Sequence, residues 1–201
     1  MSKSSSSEQK AQKLLESYAA KFPRVPVAGT KEVQELIDNG EAILVDVRSA
    51  AEHSVSTIQG SLTKTEFEQL PQEAFEGKTV IPYCTIGYRS GQYATKLIDI
   101  KEGRRKSKLA TKLAKTKNIL NGCGVVLWTH DSEAAPLVDP ESKQPVNKVH
   151  VFGSTWDFAA EGYESVTFTG SLWAKITSHL STIFAISAAA VAVSILVLKF
   201  K

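Results

Sequence analysis

The chain has 201 residues, 42% of them hydrophobic and 22% charged, which is enough for one medium domain and too little for two large ones. Its net charge of +3 is concentrated, because residues 101–117 hold eight Lys or Arg against one Glu and leave the rest at −4, so a nucleic-acid-binding surface is excluded. Two cysteines, Cys84 and Cys123, cannot build a disulfide framework and suit a reducing compartment. The four histidines, at 53, 130, 150 and 179, show no ligand spacing with either cysteine, and no metal or other cofactor is expected.

The amino terminus, MSKSSSSEQK, is polar and lacks the apolar stretch of a secretory signal. Leu14, Leu15 and Tyr18 at helical spacing predict a helix over about residues 6–21, stopped by Pro23 and Pro26, so residues 1–22 read as a polar leader with a helix. Thr30 is expected to cap KEVQELIDN, whose Val33, Leu36 and Ile37 share one face, and Gly40 to end it. The β-branched run from Ala42 to Val47 predicts a strand. Thr63 with Glu66 forms a capping box for a helix through Leu70, and TVIPY, Thr79 to Tyr83, is a second strand whose end is weakened by Pro82. Ser90 to Ile100 is helical, Val125 to Trp128 fits helix or strand, and Lys148 to Phe152 reads as a strand. Alternating helix and strand with short connections is the α/β pattern, a central parallel sheet flanked by helices.

The stretch TVIPYCTIGYRSGQYATKL carries the chemistry. A strand runs into Cys84, the six residues from Cys84 to Arg89 contain Gly87, and a helix follows at once. Unpaired N–H groups of Thr85, Ile86, Gly87, Tyr88 and Arg89 at a helix start stabilise an anionic sulfur, and Arg89 is expected to add a positive charge at the far lip. Together they describe an activated sulfur nucleophile beside an anion site. The bland alternative is a cysteine packed as a small hydrophobe at a strand end.

ILVDVRSAAEHSVSTIQGS together with CTIGYRS resembles the rhodanese family of sulfurtransferases, roughly from Pro26 to Val166. The family pattern is a strand ending in Asp-x-Arg, here Asp46 and Arg48, then Glu52, a small-residue turn at Gly60 and Ser61, and a six-residue loop opening with the catalytic cysteine, here Cys84. Where the family commonly reads Gly-His-Ile-x-Gly this chain reads Ser56-Thr57-Ile58-Gln59-Gly60, so the hydrogen bonding of that turn must differ. The related dual-specificity phosphatases use Cys-x5-Arg, usually after His, whereas this loop is Cys-x4-Arg after Tyr83, a tighter ring that suits one sulfur atom better than three phosphate oxygens. The resemblance implies sulfur transfer through a Cys84 persulfide, from a donor such as thiosulfate or a persulfide to a thiol or cyanide acceptor. Ile86 and Tyr88 are the side chains expected to face the acceptor. Asp46 and Arg48 are supporting residues, or else a plain ion pair. The competing function is a membrane-tethered module of the same fold that binds or regulates without turnover, and a phosphatase ranks below both.

Three features lie beside this loop. The basic stretch 101–117 is an insertion into the domain, either a solvated loop or, with Leu109 and Leu113 as an apolar stripe, a segment lying on anionic lipid headgroups. Cys123, in NGCGVV, is either a packing residue or a resolving thiol for Cys84. Finally, Leu180 to Leu198 is uncharged and about 28 Å long as a helix, close to the bilayer core, with Trp173, Lys175 and Lys199 as interfacial anchors. The expected organisation is therefore a leader (1–22), a rhodanese-like domain (23–170) and a transmembrane anchor (171–201). It describes a single-pass, tail-anchored protein with its domain on the cytosolic or equivalent reducing side; several membranes remain open.

Overall fold

The computed structural model describes residues 6–168. The first half of the chain runs through α1 (Ser6–Ala19), β1 (Val27–Ala28), α2 (Thr30–Asp38), β2 (Ala42–Asp46), α3 (Ala50–His53), β3 (Thr57–Ile58), β4 (Leu62–Thr63) and α4 (Lys64–Gln69). A 3-10 turn at Gln72–Phe75 leads into β5 (Thr79–Tyr83), followed by α5 (Tyr88–Lys101), α6 (Ala110–Leu113), β6 (Asn118–Ile119), β7 (Asn121–Gly122) and α7 (Val125–Trp128). The last strands are β8 (Leu137–Val138), β9 (Lys148–His150) and β10 (Glu164–Val166).

The alternating pattern does form a parallel sheet, in the order β4-β2-β5-β6. β2 and β5 pair along their whole length, from Ala42 with Thr79 to Asp46 with Tyr83. Pro82 is accommodated because Val80 turns its carbonyl towards Leu120, and the two-residue period of the strand turns Pro82 the same way, past the last residue that β6 pairs. Short pairs complete the architecture: β1 with β7 and β9 with β10 are parallel, and β3 with β8 is antiparallel.

Side chains alternate between the sheet's two faces, each of which is covered. Ile43, Val45 and Val80 join one cluster with Ala94, Leu97 and Ile100 of α5, and Cys84 lies in it. Leu44, Ile81 and Tyr83 join the other with Val33 of α2 and Ala11 and Leu15 of α1. The amino-terminal helix is thus packed into the domain, with Leu15 set directly against Gly87, where an added Cβ would lie 2.4 Å from its Cδ1.

Local signals hold at most element ends. The Thr63/Glu66 capping box forms, and a second box, Ser49 with Glu52, starts α3. The helix of residues 30–38 differs from expectation: its N-cap is Gly29, and the Thr30 hydroxyl instead donates to the Asp131 carboxylate at 2.7 Å. That acceptor, distant in sequence, is supplied by the fold. Val125–Trp128 is helical and buried throughout, and of Lys148–Phe152 only the first three residues pair as a strand.

The basic segment is the crossover from α5 to β6. Leu109 and Leu113, the apolar stripe of the lipid alternative, are buried in the cluster that holds Phe67 and Phe75, since leaving them in water would waste apolar area that the domain can cover. Some of its charges are also engaged: Lys101 donates to the Thr116 carbonyl at 2.7 Å, Lys112 to the Glu68 carbonyl at 2.8 Å, and Arg104 pairs with Glu102 at 3.2 Å. Among the described residues no helix is long and apolar enough to cross a membrane; the anchor expected at 180–198 lies outside them.

Because Leu15 closes one side of the Gly87 turn, Leu15→Ala should lower stability by about 2–5 kcal/mol. Urea denaturation of the variant checks this, and a midpoint equal to that of the parent would show that α1 is a detachable leader.

Candidate functional site

Cys84 follows the last residue of β5 and precedes the first of α5 by only the turn Thr85–Gly87. The turn is held from outside. The Val125 and Val126 N–H groups donate to the Cys84 and Thr85 carbonyls at 3.0 and 3.2 Å, and Asn121 Nδ2 donates to the Gly87 carbonyl at 2.9 Å. Gly124 allows that approach: its φ is +90°, and a Cβ there would stand 2.5 Å from the Thr85 carbonyl oxygen. With the carbonyls tied outward, the Gly87 N–H points at Cys84 Sγ at 3.2 Å, and the Ser90 hydroxyl lies 3.4 Å from the same sulfur. Gly87 itself has a φ of +97°, the left-handed conformation that glycine adopts without strain. The expected turn from strand to helix at Cys84 is present, and Ser90 adds a hydrogen-bond donor to the sulfur that the loop pattern did not include.

Arg89 is placed differently from expectation. Its Nη1 and Nη2 donate to the two oxygens of Glu52 at 2.7 and 2.6 Å, and Nη2 lies 3.3 Å from the Thr85 hydroxyl. Its charge is therefore compensated inside the protein and does not stand free at the lip. Burial opposes both charges, yet the hydrogen bonds from Arg89 and His150 and from the Ser49 N–H hold the Glu52 carboxyl well below the usual carboxylate range. The same contact outweighs burial at Arg89 and raises its guanidinium above its ordinary value. His150 Nδ1 stands 3.3 Å from Glu52 on the far side.

Asp46 and Arg48 form a buried ion pair. Arg48 Nη2 donates to Asp46 at 2.7 Å and to the Ser56 carbonyl at 2.5 Å, with both side chains essentially excluded from solvent. Burial would raise the Asp46 carboxyl; the Arg48 charge and the hydrogen bonds of His53 and Arg48 prevail and hold it well below its usual range. Tyr83, the residue before Cys84, donates to Asp46 at 3.0 Å, and its hydroxyl lies 2.7 Å from Thr57 Oγ1. Thr57 Oγ1 is in turn 2.6 Å from the Ser61 hydroxyl. Thr57, Ser61 and the Tyr83 phenol link the altered turn to the end of β2, while the buried Ser56 hydroxyl has no hydrogen-bond partner among the described residues.

Above the sulfur is a cavity of about 350 Å³ lined by Tyr18, Cys84, Thr85, Ile86, Tyr88, Arg89, Phe152 and Trp156. Ile86 and Tyr88 do face it. Tyr18 is edge-on to Tyr88, with centroids 5.2 Å apart, and the Phe152 ring covers the Arg89 guanidinium at 4.9 Å. Burial first, and then the charge of the Cys84 sulfur, push the Tyr18 hydroxyl up. Nothing in the spacing of the sequence pointed to Tyr18, Phe152 or Trp156, which reach the cavity only through the fold. Cys123 lies apart, in a groove of about 580 Å³ with Leu15 and Leu127, and burial pushes its thiol up to about 12, as suits a packing residue. Among the described residues no group of side chains could hold a metal ion.

Residues 29–121 match the family described as the rhodanese-like domain, and they contain the whole Cys84 loop, Asp46, Arg48 and Glu52. Solved structures similar to the chain include the BH2092 protein from Bacillus halodurans, 17% identical over 56% of this chain and 78% of that one, with a TM-score of 0.35. The human single-domain sulfurtransferase TSTD1 is 22% identical over 50% of this chain and 90% of its own, with a TM-score of 0.33. A protein from Lactobacillus plantarum is 17% identical over 60% and 92%, with a TM-score of 0.35. No curated protein matches the chain.

Asp46 and Glu52 both have carboxyls depressed on folding, so below about pH 4 the unfolded chain binds more protons than the folded one and stability must fall as the pH falls. Each contributes a slope of about 1.4 kcal/mol per pH unit from its unfolded value down towards its folded one, and the contribution is fully present above about pH 5. Urea denaturation across the acid range should show this slope, and Glu52→Gln should reduce it by about one proton. An unchanged slope in the variant would mean that Glu52 is not ionised in the folded protein.

Proposed function

We propose that the rhodanese-like domain of this chain is a sulfurtransferase that carries a sulfane sulfur on Cys84. The observation that supports this most directly is the sulfur itself, fixed between β5 and α5 with the Gly87 N–H at 3.2 Å and the Ser90 hydroxyl at 3.4 Å, at the floor of an open cavity.

In the first half-reaction the Cys84 thiolate attacks the outer sulfur of a persulfide or thiosulfate donor. The donor's S–S bond breaks, and its electron pair leaves with the donor as a thiolate or sulfite. Cys84 then bears a persulfide whose terminal sulfur is anionic, and donors already aimed at this position stabilise that charge without reorganising. In the second half-reaction a thiol or cyanide acceptor attacks the terminal sulfur and Cys84 departs as the thiolate. No oxidant is consumed. Glu52 acts through Arg89, and Asp46 through Tyr83: both are positioning residues that hold the loop and the end of the strand. A phosphate ester is served less well, because Arg89, the only charged lining residue among the described residues, is already paired with Glu52.

The proposal includes membrane attachment through the uncharged stretch Leu180–Leu198, with the domain on a reducing side where Cys84 stays free. Lipid contact by the basic segment 101–117 then rests on its charges alone, since its leucines are buried.

Incubated with a sulfane donor, the 201-residue chain should gain the mass of one sulfur on Cys84 and pass it to a thiol or to cyanide, and Cys84→Ser should lose both steps. Turnover retained by that variant, or phosphate-ester hydrolysis faster than sulfur transfer, overturns the assignment. Arg89→Ala should slow anionic and neutral donors by the same factor, about ten- to a hundredfold, because it leaves Glu52 buried without its partner and loosens the loop. A loss confined to anionic donors would show that the guanidinium charge reaches the substrate.

A further inference from the structure

Part of the wall of the Cys84 cavity comes from outside the residues that match the family. Cys84, Thr85, Ile86, Tyr88 and Arg89 lie within residues 29–121, whereas Tyr18 is brought by α1, and Phe152 and Trp156 by the segment after β9. All three contributions of these flanking segments are aromatic. Exposure points to the same place: among the described residues the large hydrophobic side chains left exposed are Tyr88, at 38%, and Phe152, at 51%, and both line this cavity. Apolar surface left open around a nucleophile is a binding feature rather than a fault of packing.

Charge points the same way. Arg89 is the one charged residue of the lining, and it is doubly bonded to Glu52 and covered by Phe152. Lys21 stands at the rim, its Nζ 5.3 Å from the Tyr88 ring centre. A small dianion such as thiosulfate would have to leave water for a place without a free cation beside the sulfur, a costly transfer. A flat apolar group would instead replace water on ring faces that already stand exposed.

We infer that the cavity built by Tyr18, Tyr88, Phe152 and Trp156 selects a small-molecule sulfur carrier bearing a flat apolar or aromatic group next to its sulfane sulfur. The inference rests on Cys84 being the sulfur acceptor and adds the class of carrier. About 350 Å³ holds a ring with its sulfur substituent and falls at the small end of ligand cavities, which run from about 300 to 1,000 Å³.

Two probes that share the reacting group isolate the effect of the ring: benzenethiosulfonate and methanethiosulfonate. With either one the Cys84 thiolate attacks the terminal sulfur, the S–S bond breaks, and the sulfinate leaves with the electron pair. Loading of Cys84 in the 201-residue chain is followed by mass, and each second-order rate is divided by that of the same probe with free cysteine, which removes the difference in leaving group. The corrected preference for the benzene probe should be at least tenfold, about 1.4 kcal/mol. It should fall to within about threefold in Tyr18→Ala and in Trp156→Ala, the loss expected when a ring contact is removed. Equal corrected rates in the parent chain overturn the inference while leaving Cys84 as a sulfur acceptor. A preference that both variants retain shows that these walls do not select, and also overturns it. Loading of neither probe, nor of any other sulfane donor, overturns the sulfurtransferase reading itself.

Discussion

Glu52 and Arg89 form the contact on which the site depends. A carboxylate buried to this degree would not persist alone, since an isolated charge taken from water costs several kcal/mol. It persists because two guanidinium nitrogens, His150 and the Ser49 N–H surround it. The pairing engages the charge of Arg89 and fixes the start of α5, so the loop between Cys84 and Gly87 has one end anchored in the strand and the other in a half-buried ion pair. Such a pair adds little net stability compared with an apolar replacement, but removing one partner leaves the other charge stranded. Its contribution is therefore geometric: it determines where the loop closes.

A second charged pair is fully buried. Asp46 and Arg48 hold the end of β2, and through the Tyr83 phenol they hold the residue next to Cys84. The hydroxyls of Thr57 and Ser61 join that network in a turn that lacks the family's usual histidine. Both charged pairs act on backbone rather than on substrate. The sulfur is left facing neutral donors and aromatic walls, a division of labour in which the charges fix shape and the cavity lining sets selectivity.

The segments on either side of residues 29–121 pack against the Cys84 loop and its cavity. α1 supplies Leu15 beneath Gly87 and Tyr18 at the cavity mouth, and the chain after β9 supplies Phe152 and Trp156. The same economy governs the basic crossover, whose leucines complete the core between α4 and α5 while its lysines cap nearby carbonyls.

Local chemistry in the chain was enough to read the α/β alternation, the capping box at Thr63, the parallel strands at Ala42 and Thr79 and the loop opening at Cys84, because each depends on residues within a few positions of one another. It was also enough to place Asp46 and Arg48 together, two residues apart at a strand end. It could not reveal that Thr30 would turn to Asp131, that Leu109 and Leu113 would face the core, or that Arg89 would be neutralised by a residue 37 positions away. Nor could it bring Tyr18 and Phe152 to the same cavity. Those outcomes follow from which charges and apolar surfaces meet once the sheet has formed. Burial then favours arrangements in which a polar group meets a partner, however far along the chain that partner lies.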